Sequence, residues 1–166
     1  YLFNMRFLII FTFLITNVAA NDLSSFKNIV IHKVPKTYDN VIFLDKKDKK
    51  ININDFKGNL LILNFWATWC EPCKEEMPSL NNLQINEELD RLKIFTINIG
   101  KENIEKVNKF FLDFNIQNFE PYFDPPATLA KKFSLRGVPT SILINKNGKE
   151  FARIIGSIDF DKPELV

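Results

Sequence analysis

The sequence predicts an α/β fold in which helices flank a central mixed β-sheet, with a β-hairpin near its C-terminal end. Three observations predict it. Residues 60–66 and 92–99 are near-continuous apolar runs, as expected of strands buried on both faces. Each is followed by a stretch of helix formers, residues 71–89 and 102–114, so strand and helix alternate along the chain. Residues 141–144 and 151–155 are strand-like and flank the turn Lys146-Asn147-Gly148, which reads as the hairpin. With 166 residues, 46% hydrophobic and 25% charged, the chain has the balance of one ordinary globular domain.

Taken in order, the chain begins with a targeting segment. From Met5 it carries one positive charge, Arg6, a strongly apolar stretch over residues 7–15, and small residues at Val18 and Ala20. That is the pattern of a secretory signal over residues 1–20, with cleavage expected after Ala20. The apolar stretch is much shorter than the roughly 20 residues that cross a bilayer, so a retained membrane anchor is the weaker reading. Tyr1 to Asn4 precede a methionine that would itself serve as a start. Residues 21–38 show no clear periodicity and read as an irregular lead-in, in which the single histidine, His32, is expected at the surface with no second metal ligand nearby.

The domain is expected over residues 39–166. Residues 41–44 and 51–53 are short strands about the solvated turn Lys46-Lys47-Asp48-Lys49-Lys50. The helix over 71–89 turns Leu80, Leu83 and Ile85 inward and is kinked by Pro78. In the helix over 102–114, Ile104, Val107, Phe110, Phe111 and Phe114 fall at helical spacing and are core side chains. Residues 119–123 read as a short strand, and Pro126 suits the first position of a helix running to Phe133. A last helix begins near Asp161 and is cut short by the end of the sequence.

Composition excludes several function classes. The formal net charge is +2 and no basic stripe interleaved with aromatics occurs, so nucleic acid is not an expected partner. Two cysteines and one histidine cannot complete a four-ligand zinc site or build a multi-disulfide scaffold. No metal or separate cofactor is expected, and the cysteines act as a pair. Loss of residues 1–20 removes only Arg6 among the charges and leaves a near-neutral exported domain in an oxidising, periplasmic or extracytoplasmic compartment.

The pair sits in Trp69-Cys70-Glu71-Pro72-Cys73, at the end of the first buried strand and the start of the following helix. A helix start offers free N–H groups and the positive end of the macrodipole, which stabilise a thiolate, so Cys70 is expected to be the nucleophile. Cys73 lies one turn inside, within reach of a mixed disulfide on Cys70, and is expected to resolve it. A structural staple is an alternative, yet a four-residue ring gains only about 2 kcal/mol in chain entropy against about 3 for a fifteen-residue loop. Half of a metal site shared with a partner is another.

The run Asn64-Phe65-Trp66-Ala67-Thr68-Trp69-Cys70-Glu71-Pro72-Cys73-Lys74-Glu75-Glu76-Met77-Pro78, together with Gly137-Val138-Pro139-Thr140, resembles the thioredoxin superfamily, and within it the exported TlpA-like and ResA-like thiol-disulfide oxidoreductases. The resemblance covers residues 39–166. It implies a thioredoxin-like fold, a redox-active Cys70–Cys73 disulfide, and a cis Pro139 that lies against it and, with Val138, shapes a docking groove for the partner. Asn64 stands where cytosolic thioredoxins carry a buried aspartate. The resemblance assigns its proton-relay role to Glu76, three residues after Cys73, whose carboxyl would be raised by desolvation. Glu75 is expected in solvent. Trp69 is expected to flank the active surface and touch the partner together with Glu71 and Pro72, and Trp66 to pack in the core.

The resemblance further implies a protein disulfide reductase, re-reduced by a membrane thiol transporter of the DsbD or CcdA type. Its expected client is the Cys-x-x-Cys-His segment of apocytochrome c, in cytochrome c maturation. Copper-assembly proteins of cytochrome oxidase are the alternative clients. A peroxiredoxin, which shares the fold, is disfavoured because Thr68 lies two rather than three residues before Cys70. A non-enzymatic copper chaperone is disfavoured by the spacing of the pair and by a histidine that precedes the domain.

Overall fold

The structure, a computed structural model, describes residues 27–124 and 126–163. The segment expected as a signal, residues 1–20, lies outside the described residues. Eight strands form one sheet in the order β1-β8-β7-β4-β5-β6-β2-β3. They are β1 (Ile29–Lys36), β2 (Ile42–Leu44), β3 (Lys50–Asn52), β4 (Leu60–Trp66), β5 (Leu92–Asn98), β6 (Pro121–Phe123), β7 (Thr140–Ile144) and β8 (Glu150–Ile155). The three helices are α1 (Glu71–Leu83), α2 (Ile104–Asp113) and α3 (Thr128–Lys132). β4, β5 and β6 are parallel, joined by crossovers through α1 and α2, while the remaining pairings are antiparallel.

The run of β4 is apolar but for Asn64 because both of its faces are covered. Ile62 and Trp66 point to one side, where they pack with Met77, Leu80 and Leu83 of α1 and Val107, Phe110 and Phe111 of α2. Leu61, Leu63 and Phe65 point to the other, among Phe43, Ile97, Ile142 and the α3-side residues Leu129 and Phe133. Cys70 and Cys73 belong to the first of these two cores. At the antiparallel pairing of β4 with β7, Phe65 faces Thr140, so the start of β7 lies at the same end of the sheet as the exit from β4. That end carries the site.

Several expectations are corrected. Residues 29–36, expected as part of an irregular lead-in, form the edge strand β1, antiparallel to β8 with a register shift between Ile31 and Lys36. Pro35 is tolerated there because an edge strand has one side free of ladder bonds. His32 is not a free surface residue: its Nε2 lies 2.6 Å from Oε1 of the fully buried Glu150. α1 ends at Leu83 rather than near residue 89, and Ile85 is 63% exposed instead of turned inward. Asn86 begins a separate helical turn there by accepting a bond from the Glu88 N–H. Pro126 does not open α3. The Asp124 carboxylate accepts the N–H groups of Leu129 and Ala130, which starts that helix at Thr128. β6 begins at Pro121 rather than at residue 119. Asp161 lies in a turn, and residues 164–166 lie outside the described residues.

Candidate active site

β4 delivers the chain to the top of the sheet at Trp66, which is fully buried and packs on Phe110 and Phe111 with ring centroids 4.7 and 5.6 Å away. A short turn, closed by the Cys70 N–H donating to the Ala67 carbonyl at 3.2 Å, then sets Cys70 at the N-cap of α1. Cys70 has extended backbone angles, as a cap requires, and its Sγ accepts the Cys73 N–H at 3.2 Å. Pro72, in the first turn of the helix, has no N–H of its own to leave unpaired there. The two sulfurs are bonded at 2.12 Å, with 5.3 Å between the Cα atoms. Both cysteines are buried, whereas Trp69 beside them is 64% exposed and Glu71 and Pro72 also face solvent.

One turn beyond Cys73 on the inward side of α1 lies Glu76, with 3% of its surface accessible. Its Oε1 accepts from Asn64 Nδ2 at 2.7 Å and its Oε2 from the Ile158 N–H at 3.0 Å. Burial pushes this carboxyl up to about 7 against the opposing effect of those two bonds. Asn64 also donates to Ser141 Oγ at 2.9 Å, and its own carbonyl oxygen is buried with no hydrogen-bond partner. This position in β4 thus holds a neutral amide that grips the carboxyl of α1. Glu75, by contrast, is exposed.

The Val138–Pro139 peptide is cis. Pro139 is buried, and Val138 packs against the core that contains the two cysteines. The sequence-predicted residues therefore gather at one end of the sheet: the pair and Glu76 from α1, Val138 and Pro139 from the approach to β7. His32 does not join them. It sits on β1, three strands from β4, and is held by Glu150. Among the described residues no three His, Cys, Asp or Glu side chains converge as a metal site.

Sequence reading missed Glu102. Its side chain is 3% exposed and takes bonds from the Thr68 N–H at 2.8 Å, the Thr68 hydroxyl, Asn98 Nδ2 at 2.8 Å and Lys106 Nζ at 2.6 Å. Burial works to raise this carboxyl, but the bonds from Lys106, Thr68 and Asn98 outweigh it and hold it at about 2. The carboxylate ties the turn that carries Trp69 and Cys70 to β5 and α2. Gly100 leaves it room, since a Cβ there would stand 2.7 Å from Glu102 Oε2. An acid at a helix start reads as an ordinary first-turn residue, and only the convergence of four donors reveals its task. Glu102→Gln replaces two acceptor oxygens by one and sets an amide NH2 against donors. It is expected to lower unfolding free energy by about 1–3 kcal/mol, measured by urea denaturation, and to broaden the environment of Trp69 in fluorescence.

Comparison with known proteins agrees with this geometry. The AhpC/TSA family matches residues 31–149. The thiol-disulfide oxidoreductase ResA of Bacillus thuringiensis is 33% identical over 124 residues, 75% of this chain and 70% of the relative. ResA of Bacillus subtilis is 32% identical over 119 residues, covering 72% and 65%. Among solved structures, StoA from Bacillus subtilis superimposes with a TM-score of 0.62 at 29% identity, covering 75% of this chain and 94% of that one. The chain belongs to the AhpC/TSA family of thioredoxin-like proteins and is an enzyme of its thiol-disulfide oxidoreductase group.

Proposed function

We propose that the enzyme is an exported reductase of client disulfides, with Cys70 as nucleophile, Cys73 as resolving thiol and Glu76 as the proton donor and acceptor of Cys73. The observation that supports this best is the buried Glu76 carboxyl, raised to about 7, one helical turn beyond Cys73. In the first step the Cys70 thiolate attacks one sulfur of a client disulfide and the client's other sulfur leaves as thiolate. Cys73 then passes its proton to the Glu76 carboxylate and attacks Cys70 Sγ. The Cys70–client S–S bond breaks, the client's second sulfur leaves as a thiolate that takes a proton from solvent, and the Cys70–Cys73 disulfide remains, so the client disulfide has gained the two electrons that the enzyme's dithiol has lost. A membrane dithiol of the DsbD or CcdA type supplies two electrons to restore the pair. Trp69, Glu71, Pro72, Val138 and Pro139 form the docking rim. The client is the Cys-x-x-Cys-His segment of apocytochrome c, whose thiols must be free for haem attachment. The work is done in a periplasmic or equivalent extracytoplasmic space, at the membrane surface if the N-terminal segment stays attached.

Equilibrium titration of the pair against glutathione and dithiothreitol at pH 7 tests the direction of flow. A potential of about −270 mV or below is expected for a reductase, and a potential near −120 mV would make the protein an oxidant. Cys73→Ser is expected to trap clients as mixed disulfides on Cys70, recoverable from an envelope extract and released by dithiothreitol. Cys70→Ser is expected to trap none and to lose turnover. Capture of apocytochrome c by the first variant supports the client assignment, and capture of copper-assembly proteins alone overturns it.

A further inference from the structure

Beside the cis-proline approach lies a recess of about 350 Å³ whose polar lining is basic: His32, Lys36, Arg136 and Arg153, with the hydroxyls of Ser134 and Thr140. Its place in the fold is fixed by register. Thr140, the residue after Pro139, pairs with Ile155 at the end of β8, and Arg153 of β8 pairs with Val30 of β1. The recess is thus lined by Ser134, Leu135 and Arg136 before the cis-proline and Thr140 after it, and spreads over β8 and β1.

No carboxylate lines it. Glu150, which lies beneath, is bonded to Arg153 Nε and Nη2 at 2.6 and 2.9 Å and to His32 Nε2 at 2.6 Å, so it compensates part of the charge. Among the described residues Lys36 and Arg136 have no carboxylate partner, and both are exposed. In a molecule of net charge +2 this leaves an uncompensated positive recess next to the docking rim. The Thr140 hydroxyl already donates to the Gly137 carbonyl at 2.8 Å, so its proton is not offered to a ligand.

We infer that this recess is a subsite for the carboxylate of an Asp or Glu side chain in the client polypeptide, engaged by Lys36 and Arg136. The inference rests on the proposed reading in which a client chain lies along Val138–Pro139. Neighbouring strands are about 4.8 Å apart and an extended chain advances about 3.3 Å per residue, so the acid falls about two to four residues from the client cysteine. Charge complementarity at such a rim raises encounter rate and selects register, and it weakens with salt.

The test uses the full domain and two disulfide-linked peptides that are identical except for Glu or Gln three residues from the cysteine. The measurement is kcat/KM for their reduction at low and high salt. The Glu peptide is expected to be preferred about fivefold at low salt, equivalent to about 1 kcal/mol. The preference is expected to shrink at 0.5 M NaCl and to vanish in a Lys36→Gln/Arg136→Gln double variant. Equal kcat/KM for the two peptides in the unaltered protein overturns the subsite, as does a preference that survives in the double variant. Failure to reduce either peptide while an uncharged small disulfide such as hydroxyethyl disulfide is reduced overturns the docking geometry on which the subsite depends. Failure to reduce any of the three overturns the reductase reading itself.

Discussion

Glu150→Ala is expected to destabilise the fold by about 3–5 kcal/mol, the range for removing one partner from a buried ionic cluster. Glu150 has 0% exposure, and its two oxygens hold Arg153 Nε and Nη2, His32 Nε2 and the Tyr38 hydroxyl at 2.7 Å. Removing the carboxylate leaves the Arg153 guanidinium, which also donates to the Phe133 carbonyl at 3.1 Å, without a counter-charge. It also detaches His32 of β1 and Tyr38 of the following segment from β8. Urea denaturation followed by circular dichroism reads the loss, and for a domain of this size the thermal midpoint falls by about 10 °C. A loss below about 1 kcal/mol would show that β1 and Tyr38 are held by other means.

The same cluster predicts a pH dependence. Burial alone would raise Glu150, but the bonds from Arg153, His32 and Tyr38 outweigh it and hold its carboxyl below the usual range. A carboxyl lowered in the folded state stabilises above its unfolded value and loses that contribution as pH falls through the folded one. Tyr38 is pushed up to about 12 by burial and by the adjacent Glu150 charge, so it remains a donor throughout the working range.

These side chains also mark where sequence reading stops. β4, β5 and α2 were legible because burial on one or two faces writes itself into periodicity: Leu61, Leu63 and Phe65 against Ile62 and Trp66, or Val107, Phe110 and Phe111 along one helix face. The cysteine pair was legible because its chemistry needs a fixed spacing at a helix start. β1 was not, since it is an edge strand whose Val30, Ile31 and Val34 all face solvent, so no alternation sets it apart from a loop. Glu150 follows the hairpin turn Lys146-Asn147-Gly148-Lys149, where a charged residue reads as solvated. Its burial arises from His32 and Tyr38, 118 and 112 residues away in sequence. Glu102 escaped for the same reason, since its bonds to Thr68 span 34 residues. Glu76 stood out only through the resemblance, and its depth depends on Asn64 and on the Ile158 N–H from the far end of the chain.

Glu76→Gln separates the proton-carrying role from the structural one. In the disulfide form burial raises the carboxyl from its usual 4.5 to about 7. The folded state therefore binds more protons than the unfolded chain between those two values, and stability falls as pH rises through that window. Over the full window the loss is about 3 kcal/mol. The glutamine variant keeps an acceptor for the Ile158 N–H or the Asn64 amide but cannot ionise, so its urea midpoint is expected to stay level from pH 4.5 to 8 where that of the unaltered protein declines. Kinetics gives the second reading. When a dithiol attacks Cys70 Sγ, Cys73 leaves as a thiolate, and on the proposed role the protonated Glu76 supplies its proton. Reduction by dithiothreitol at pH 7 is expected to slow about 100-fold in the variant, the lower range of general acid catalysis, and the inflection near pH 7 in its rate profile to disappear. A variant with a level stability profile but an unaltered rate profile would show that Glu76 is a buried structural carboxyl and that Cys73 exchanges its proton with solvent.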